Sequence, residues 1–127
     1  MENKFRKFTT LSGKLVLAGK NAEQNEQLVR QAGSDEFMLH TKAAGSPFCN
    51  IKAAEGVSKE DIKEAALFCA TYSREWKHYH KDVEVHVFKG KDLYKEKSMK
   101  TGTFGVKKFK VTLVKNKDIE KFIGNKE

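Results

Sequence analysis

The chain has 127 residues, one domain's length, with 39% hydrophobic and 33% charged residues. Nine Phe, three Tyr and one Trp are too many aromatics for a disordered chain, and a single Pro excludes a Pro-rich linker. No uncharged apolar run is long enough for a transmembrane helix, so no membrane partner is expected. Lys and Arg total 25 against 17 Asp and Glu, a net charge of +8. The excess is uneven: +1 up to Glu64 and +7 beyond it. A charge excess on one part of a small domain points to a polyanionic partner. Cys49 and Cys69 make no disulfide framework, and Met1 to Phe5 lack the apolar stretch of a secretory signal. A cytoplasmic location is expected.

Phe5–Ser12 and Lys14–Leu17 read as two strands around a Ser12-Gly13 turn. Asn21 then caps a helix to Ala32, with Gln24 in the capping-box position and Gly33 at its end. Its apolar stripe is Ala22, Leu28 or Val29, and Ala32, and Asn25 falls on or beside it. Phe37-Met38-Leu39 is a compact strand ending in His40, followed by a loop over residues 43–47 and a strand Phe48–Ile51. Ser58 caps a long second helix with Asp61 at the third position, and Ile62, Ala65, Ala66, Cys69, Tyr72 and Trp76 keep helical spacing. Val83, Val85 and Val87 alternate as a strand, and Lys89 to Asp92 is a turn. A last strand takes Val106, Phe109, Val111 and Leu113 as its apolar positions, with a bulge near Lys107-Lys108. Asn116 to Asp118 open a short terminal helix through Ile123, ended by Gly124. The order predicts an α+β domain over residues 1–127. It has a mostly antiparallel, mixed sheet of five to six strands, two main helices mainly on one face, and a short C-terminal helix.

Most catalytic patterns fail on spacing. Gly13 to Lys20 has one residue too many between its glycines for a phosphate-binding loop, and Asn21 stands where Ser or Thr would hold Mg²⁺. No Cys-x-x-Cys pair exists, and His78 with His80 lacks a third ligand, so neither a metal nor another cofactor is expected. Cys49 beside His40 is the one imaginable nucleophile and base, but buried packing is the commoner role of such a Cys. Two features remain. Lys20 lies at a helix N-terminus, whose free N–H groups favour anions, and His40 precedes a glycine-containing loop. The stretch Lys89–Lys115 carries nine lysines against Asp92 and Glu96, with Tyr94, Phe104 and Phe109 interleaved. Its lysines read as phosphate contacts, and Phe104 and Phe109 as core.

Several blocks resemble a known family. Gly19-Lys20-Asn21 leads into a helix carrying Gln24-Asn25-Glu26 and Leu28-Val29. Asp35 is followed by an apolar strand, His40 and Gly45-Ser46. Glu64-Ala65-Ala66 precede Tyr72-Ser73 and Trp76, and Lys97 precedes Gly102-x-Phe104. In this order and spacing they resemble the NFACT-R domain. Pro47 stands where members often carry His, and Arg6-Lys7-Phe8 where a Trp is common. The resemblance implies an RNA-binding module, here standing alone. Larger members also hold an NFACT-N domain, a helix-hairpin-helix module and a coiled coil. They act in ribosome-associated quality control, where they bind the large subunit and recruit transfer RNA. It implies matched motif positions at Asn21, Gln24, Asn25, His40, Gly45 and Ser46.

The expected function is therefore binding of RNA, transfer RNA or ribosomal RNA, in translation or ribosome-associated quality control, with the ribosome or other NFACT-type modules as further partners and no catalysis. The expected contacts are Lys20, Asn21, Gln24, Asn25, His40, Lys42, Gly45, Ser46, Lys97, Lys100, Lys107, Lys108 and Lys110. The alternatives are a small enzyme acting on nucleic acid through a pocket at His40, and an adaptor that binds a protein.

Overall fold

The computed structural model describes residues 5–42 and 46–125. The chain begins with a hairpin of β1 (Arg6–Thr9) and β2 (Leu15–Ala18). Gly13, with φ of 93°, makes the turn, a conformation that L side chains rarely adopt. Helix α1 (Ala22–Gln31) starts as its sequence predicts. Asn21 Oδ1 accepts from Gln24 N at 2.9 Å, and Gln24 Oε1 accepts from Lys20 N at 3.0 Å. The exit differs from expectation, because Ala32 turns into an extended conformation and Gly33 is not left-handed.

Strands β3 (Phe37–Thr41) and β4 (Cys49–Ile51) follow, then α2 (Lys59–Thr71) with the Ser58–Asp61 capping box in place. Asp61 also accepts from Ser12 Oγ at 2.7 Å. That bond, with the Ser58 backbone N–H, holds its carboxyl below the usual carboxylate range.

The long second helix is in fact two. It breaks after Thr71, and α3 (Arg74–Tyr79) restarts with Ser73 as cap. Ser73 Oγ donates to Ala70 O at 2.7 Å and accepts from Trp76 N at 3.2 Å, so one buried hydroxyl serves both helix ends. Trp76 keeps its helical spacing from Tyr72 across this break, which is why the apolar pattern conceals it.

β5 (Val83–Lys89) runs into a 3₁₀ turn over Gly90–Asp92. A two-stranded ribbon of β6 (Leu93–Tyr94) and β7 (Gly105–Val106), which the sequence pattern does not announce, precedes β8 (Lys110–Val114). Helix α4 spans Asn116–Asn125, so Gly124 does not end it.

The main sheet has the order β1-β2-β4-β3-β5-β8, and each neighbouring pair is antiparallel. This is the expected α+β class with a wholly antiparallel sheet. The helices divide between its faces. On one face, Val16, Leu39, Ile51, Val83 and Val85 pack with Phe68 of α2 and Ile119 of α4. On the other, Leu17, Met38 and Phe88 pack with Leu28 of α1, supported by Leu93, Phe104 and Val106 of the ribbon.

The register of β8 reverses the sequence assignment. Val83 pairs with Val114 and Val85 with Thr112, so Thr112 and Val114 face the first core. Val111 and Leu113 turn outward, each 54% exposed. The alternation is real but its two faces are exchanged, because only pairing decides which face is buried.

Ser73→Ala removes a cap and leaves the Trp76 N–H without its acceptor. It should cost about 1–2 kcal/mol in a urea titration of the whole chain.

Candidate functional site

At one end of the sheet the chain forms a cleft of ≈ 410 Å³. Its walls come from the end of β2, the first turn of α1, His40, Ser46 to Phe48, the α2–α3 junction, and Thr101 to Thr103 in the ribbon loop. Arg6, Lys20, Arg74, Lys77 and His78 all line it, and among the described residues no Asp or Glu does.

The cleft is held open by short contacts. Gly19 N donates to Phe48 O at 3.2 Å, and Phe48 N donates to Asn25 Oδ1 at 3.1 Å. A Cβ on Gly19 would overlap the Asn25 side chain, so this crossing demands glycine. Gly102 closes the opposite wall. Its φ is 80°, its N–H donates to Glu26 Oε1 at 2.7 Å, and a Cβ there would strike Ala22. Lys95 bonds the same carboxylate oxygen at 3.2 Å and Thr103 O at 2.8 Å. The Gly102 N–H, with Lys95, keeps the Glu26 carboxyl below its ordinary range. Glu26 is therefore spent on the loop.

Arg6 is presented by similar means. Its Nη1 donates to Gly19 O at 3.3 Å, and its guanidinium lies 4.3 Å from the Tyr72 ring centroid. Lys77 Nζ lies 6.0 Å from the same centroid. Ser46 is buried, and its Oγ accepts from Arg74 N at 3.3 Å.

His40 forms part of the floor, stacked on Phe48 with centroids 4.2 Å apart. Burial pushes its pKa down from 6.5 to about 4, the nearby His86 adds to this, and a backbone hydrogen bond with Ser46 opposes it. The ring is neutral at pH 7 and contributes hydrogen bonding and stacking, not charge.

The structure brings Lys20, Asn21, Asn25, His40 and Ser46, five of the expected contacts, into the lining of one cleft. It also assigns three of these side chains internal work: Asn21 caps α1, Asn25 binds Phe48 N, and Ser46 receives Arg74 N. Gln24 stands beside the cleft as partner of Lys20 N. Gly45 falls outside the described residues. Lys42, Lys97, Lys100, Lys107, Lys108 and Lys110 are exposed and lie outside the lining.

Sequence reasoning missed Arg6, Tyr72, Arg74 and Lys77 as site residues. Two of the chain's three arginines stand here, the one signal that would have marked them. It also placed Phe109 in the core, whereas its ring is 46% exposed. Phe104 does pack inward, edge-on to Phe48 at 5.7 Å.

The Cys49–His40 pairing does not form. Cys49 pairs with Leu39 and shares its face in the first core, while His40 points to the opposite face. Burial raises the Cys49 thiol further above its ordinary range, so it stays protonated. Among the described residues no three His, Cys, Asp or Glu side chains are placed to hold a metal ion. No helix there is long and apolar enough to cross a membrane.

Comparison with known proteins identifies the family and the fold. The family model described as NFACT protein RNA binding domain matches residues 4–108. An archaeal Rqc2 homolog, aRqcH of Methanocaldococcus jannaschii, is 37% identical over 73 residues. That match covers 56% of this chain and 11% of the archaeal protein. The solved C-terminal part of the fibronectin/fibrinogen-binding protein of Streptococcus suis superposes with a TM-score of 0.79 at 24% identity. It covers 95% of this chain and 49% of that one, and it establishes the shared fold.

Two outcomes test the geometry. As pH falls below about 6.5, the unfolded chain takes up a proton at His40 that the folded chain refuses, so stability should fall toward pH 4. Between pH 7.5 and pH 5 the loss from this group should be on the order of 2 kcal/mol, read from urea midpoints, and smaller in His40→Gln. Gly102→Ala should separate the ribbon loop from α1, seen as loss of amide protection at Gly102 and its neighbours.

Proposed function

The chain belongs to the family of NFACT protein RNA-binding domains, and from that premise we propose that its cleft receives the phosphate backbone of a structured RNA, a transfer RNA or ribosomal RNA. The observation that carries this is a concave site lined by two arginines, two lysines and two histidines with, among the described residues, no carboxylate in its lining. Such a surface concentrates polyanions, and arginine forks match phosphate oxygens in pairs. Arg6 is held by Gly19 O and Tyr72 before any ligand arrives, which lowers the cost of ordering it.

In this reading Arg6, Lys20, Arg74 and Lys77 contact phosphates. His40, neutral at pH 7, offers a stacking and hydrogen-bonding floor to a base or a ribose hydroxyl. Asn21, Gln24, Asn25 and Ser46 shape the cleft. The exposed Lys42, Lys97, Lys100, Lys107, Lys108 and Lys110 extend the positive field along the bound strand. With only three Arg among 25 basic residues, backbone and shape recognition fits better than bidentate reading of guanines in duplex DNA.

The likeness to an archaeal Rqc2 homolog supports a setting in ribosome-associated quality control in the cytoplasm, with residues 1–127 acting as one non-catalytic RNA-binding unit beside the ribosome or other NFACT-type modules.

The test is fluorescence anisotropy with bulk transfer RNA, duplex DNA as control, over a salt series from about 50 mM. Arg74→Glu/Lys77→Glu should weaken transfer-RNA binding about tenfold or more and flatten the salt slope by roughly one for each phosphate no longer neutralised. Lys63→Glu/Lys121→Glu, on the far face, should change little. Equal weakening by both pairs would reduce the interaction to generic charge and contradict the reading.

A further inference from the structure

A second surface lies beyond the cleft. Lys107, Lys108, Phe109 and Lys110 are all exposed. Among the described residues none of these three lysines is in an ion pair. The Phe109 ring is 46% exposed and stacks on His86, with centroids 4.1 Å apart and planes 13° apart. His86 is fixed in turn by Glu84 Oε2 at 2.9 Å. One face of Phe109 is therefore supported by a held imidazole. The ring also walls a groove of ≈ 720 Å³ with Phe37 and Phe88, whose charged lining is four lysines, Lys89, Lys91, Lys108 and Lys110, against one acid, Asp92.

An exposed aromatic on a rigid base, among unpaired cations, suits a planar π-system attached to phosphate. A purely apolar partner would have to desolvate these lysines without compensation. A nucleotide answers both features at once: its base stacks on the ring and its phosphates meet the lysines. The position fits the same strand. His86 pairs directly with His40 across β5 and β3, so Phe109 lies on the sheet face that leads from the cleft floor.

We propose that Phe109 is a stacking platform for an unpaired RNA base, with Lys108 and Lys110 on the flanking phosphates. This rests on the RNA-binding reading of the cleft and adds to it: the bound RNA carries a single-stranded segment that leaves the cleft over β5 and β8.

The experiment measures anisotropy of the full chain with a short single-stranded oligoribonucleotide and with a blunt RNA duplex of equal length. The variants are Phe109→Ala and Phe109→Tyr, with thermal melts to confirm folding. Phe109→Ala should weaken single-strand binding about 5- to 100-fold and leave duplex binding unchanged. Phe109→Tyr, which keeps a π-face, should stay within about twofold of the parent. An unchanged single-strand affinity in Phe109→Ala, or an equal weakening for both ligands, would overturn the platform. So would failure of the parent chain to bind the single strand. In each of these cases continued transfer-RNA binding that depends on Arg74 and Lys77 leaves the cleft reading intact, whereas its absence ends both.

Discussion

One crossing point organises this molecule. Asn25 of α1 accepts the Phe48 N–H just before β4, while Gly19, at the end of the neighbouring β2, donates to the Phe48 carbonyl. Three segments that enter or leave regular structure are thereby locked together: the end of β2, the first turns of α1, and the approach to β4. Asn25 is buried, so losing its oxygen would strand a backbone N–H away from water. The close approach is possible only because residue 19 has no side chain. Three of the residues that face the cleft are referred to this knot. Lys20 follows Gly19 directly, Arg6 is tied to Gly19 O, and His40 stacks on Phe48.

The electrostatic character follows from how the carboxylates are used. Glu26 is turned to Gly102 and Lys95, Glu84 to His86, and Asp61 to Ser12 and the α2 cap. Each of these carboxyls is held ionised by groups within the fold, which leaves the cationic rim uncancelled. The floor is the reverse case. Burial keeps His40 neutral, so an incoming phosphate meets charge at the rim and an uncharged polar surface below. A charged imidazole at this depth would need a partner, and among the described residues no acid lines the cleft to supply one.

What could be read in the sequence was local. Asn21 with Gln24, and Ser58 with Asp61, are capping signals whose bonds span three or four residues, and both appear as expected. The Val83-Val85-Val87 alternation found its strand for the same reason. The failures are a local break that the apolar spacing hides, strands too short to show a period, and tertiary pairing that no local signal fixes. Ser73 interrupts a helix whose apolar spacing carries on unbroken. Phe109, Val111 and Leu113 have a true strand period, but β5 pairs the other set of residues to the core. The ribbon of β6 and β7 has two residues in each strand, too few for any period to show. The site was half legible. Lys20 and His40 carry local signals in a helix start and a loop edge. Arg6 and Arg74 meet only because β1 and the α2–α3 junction come to one end of the sheet.

The most direct test of the central claim is a nitrogen-15 chemical-shift titration of the whole chain with transfer RNA. Perturbations should cluster at Lys20 to Asn25, Ser46, Arg74 to Lys77 and Thr101 to Thr103. Perturbations confined to the outer surface of α2 and α4, around Lys63 and Lys121, would contradict it.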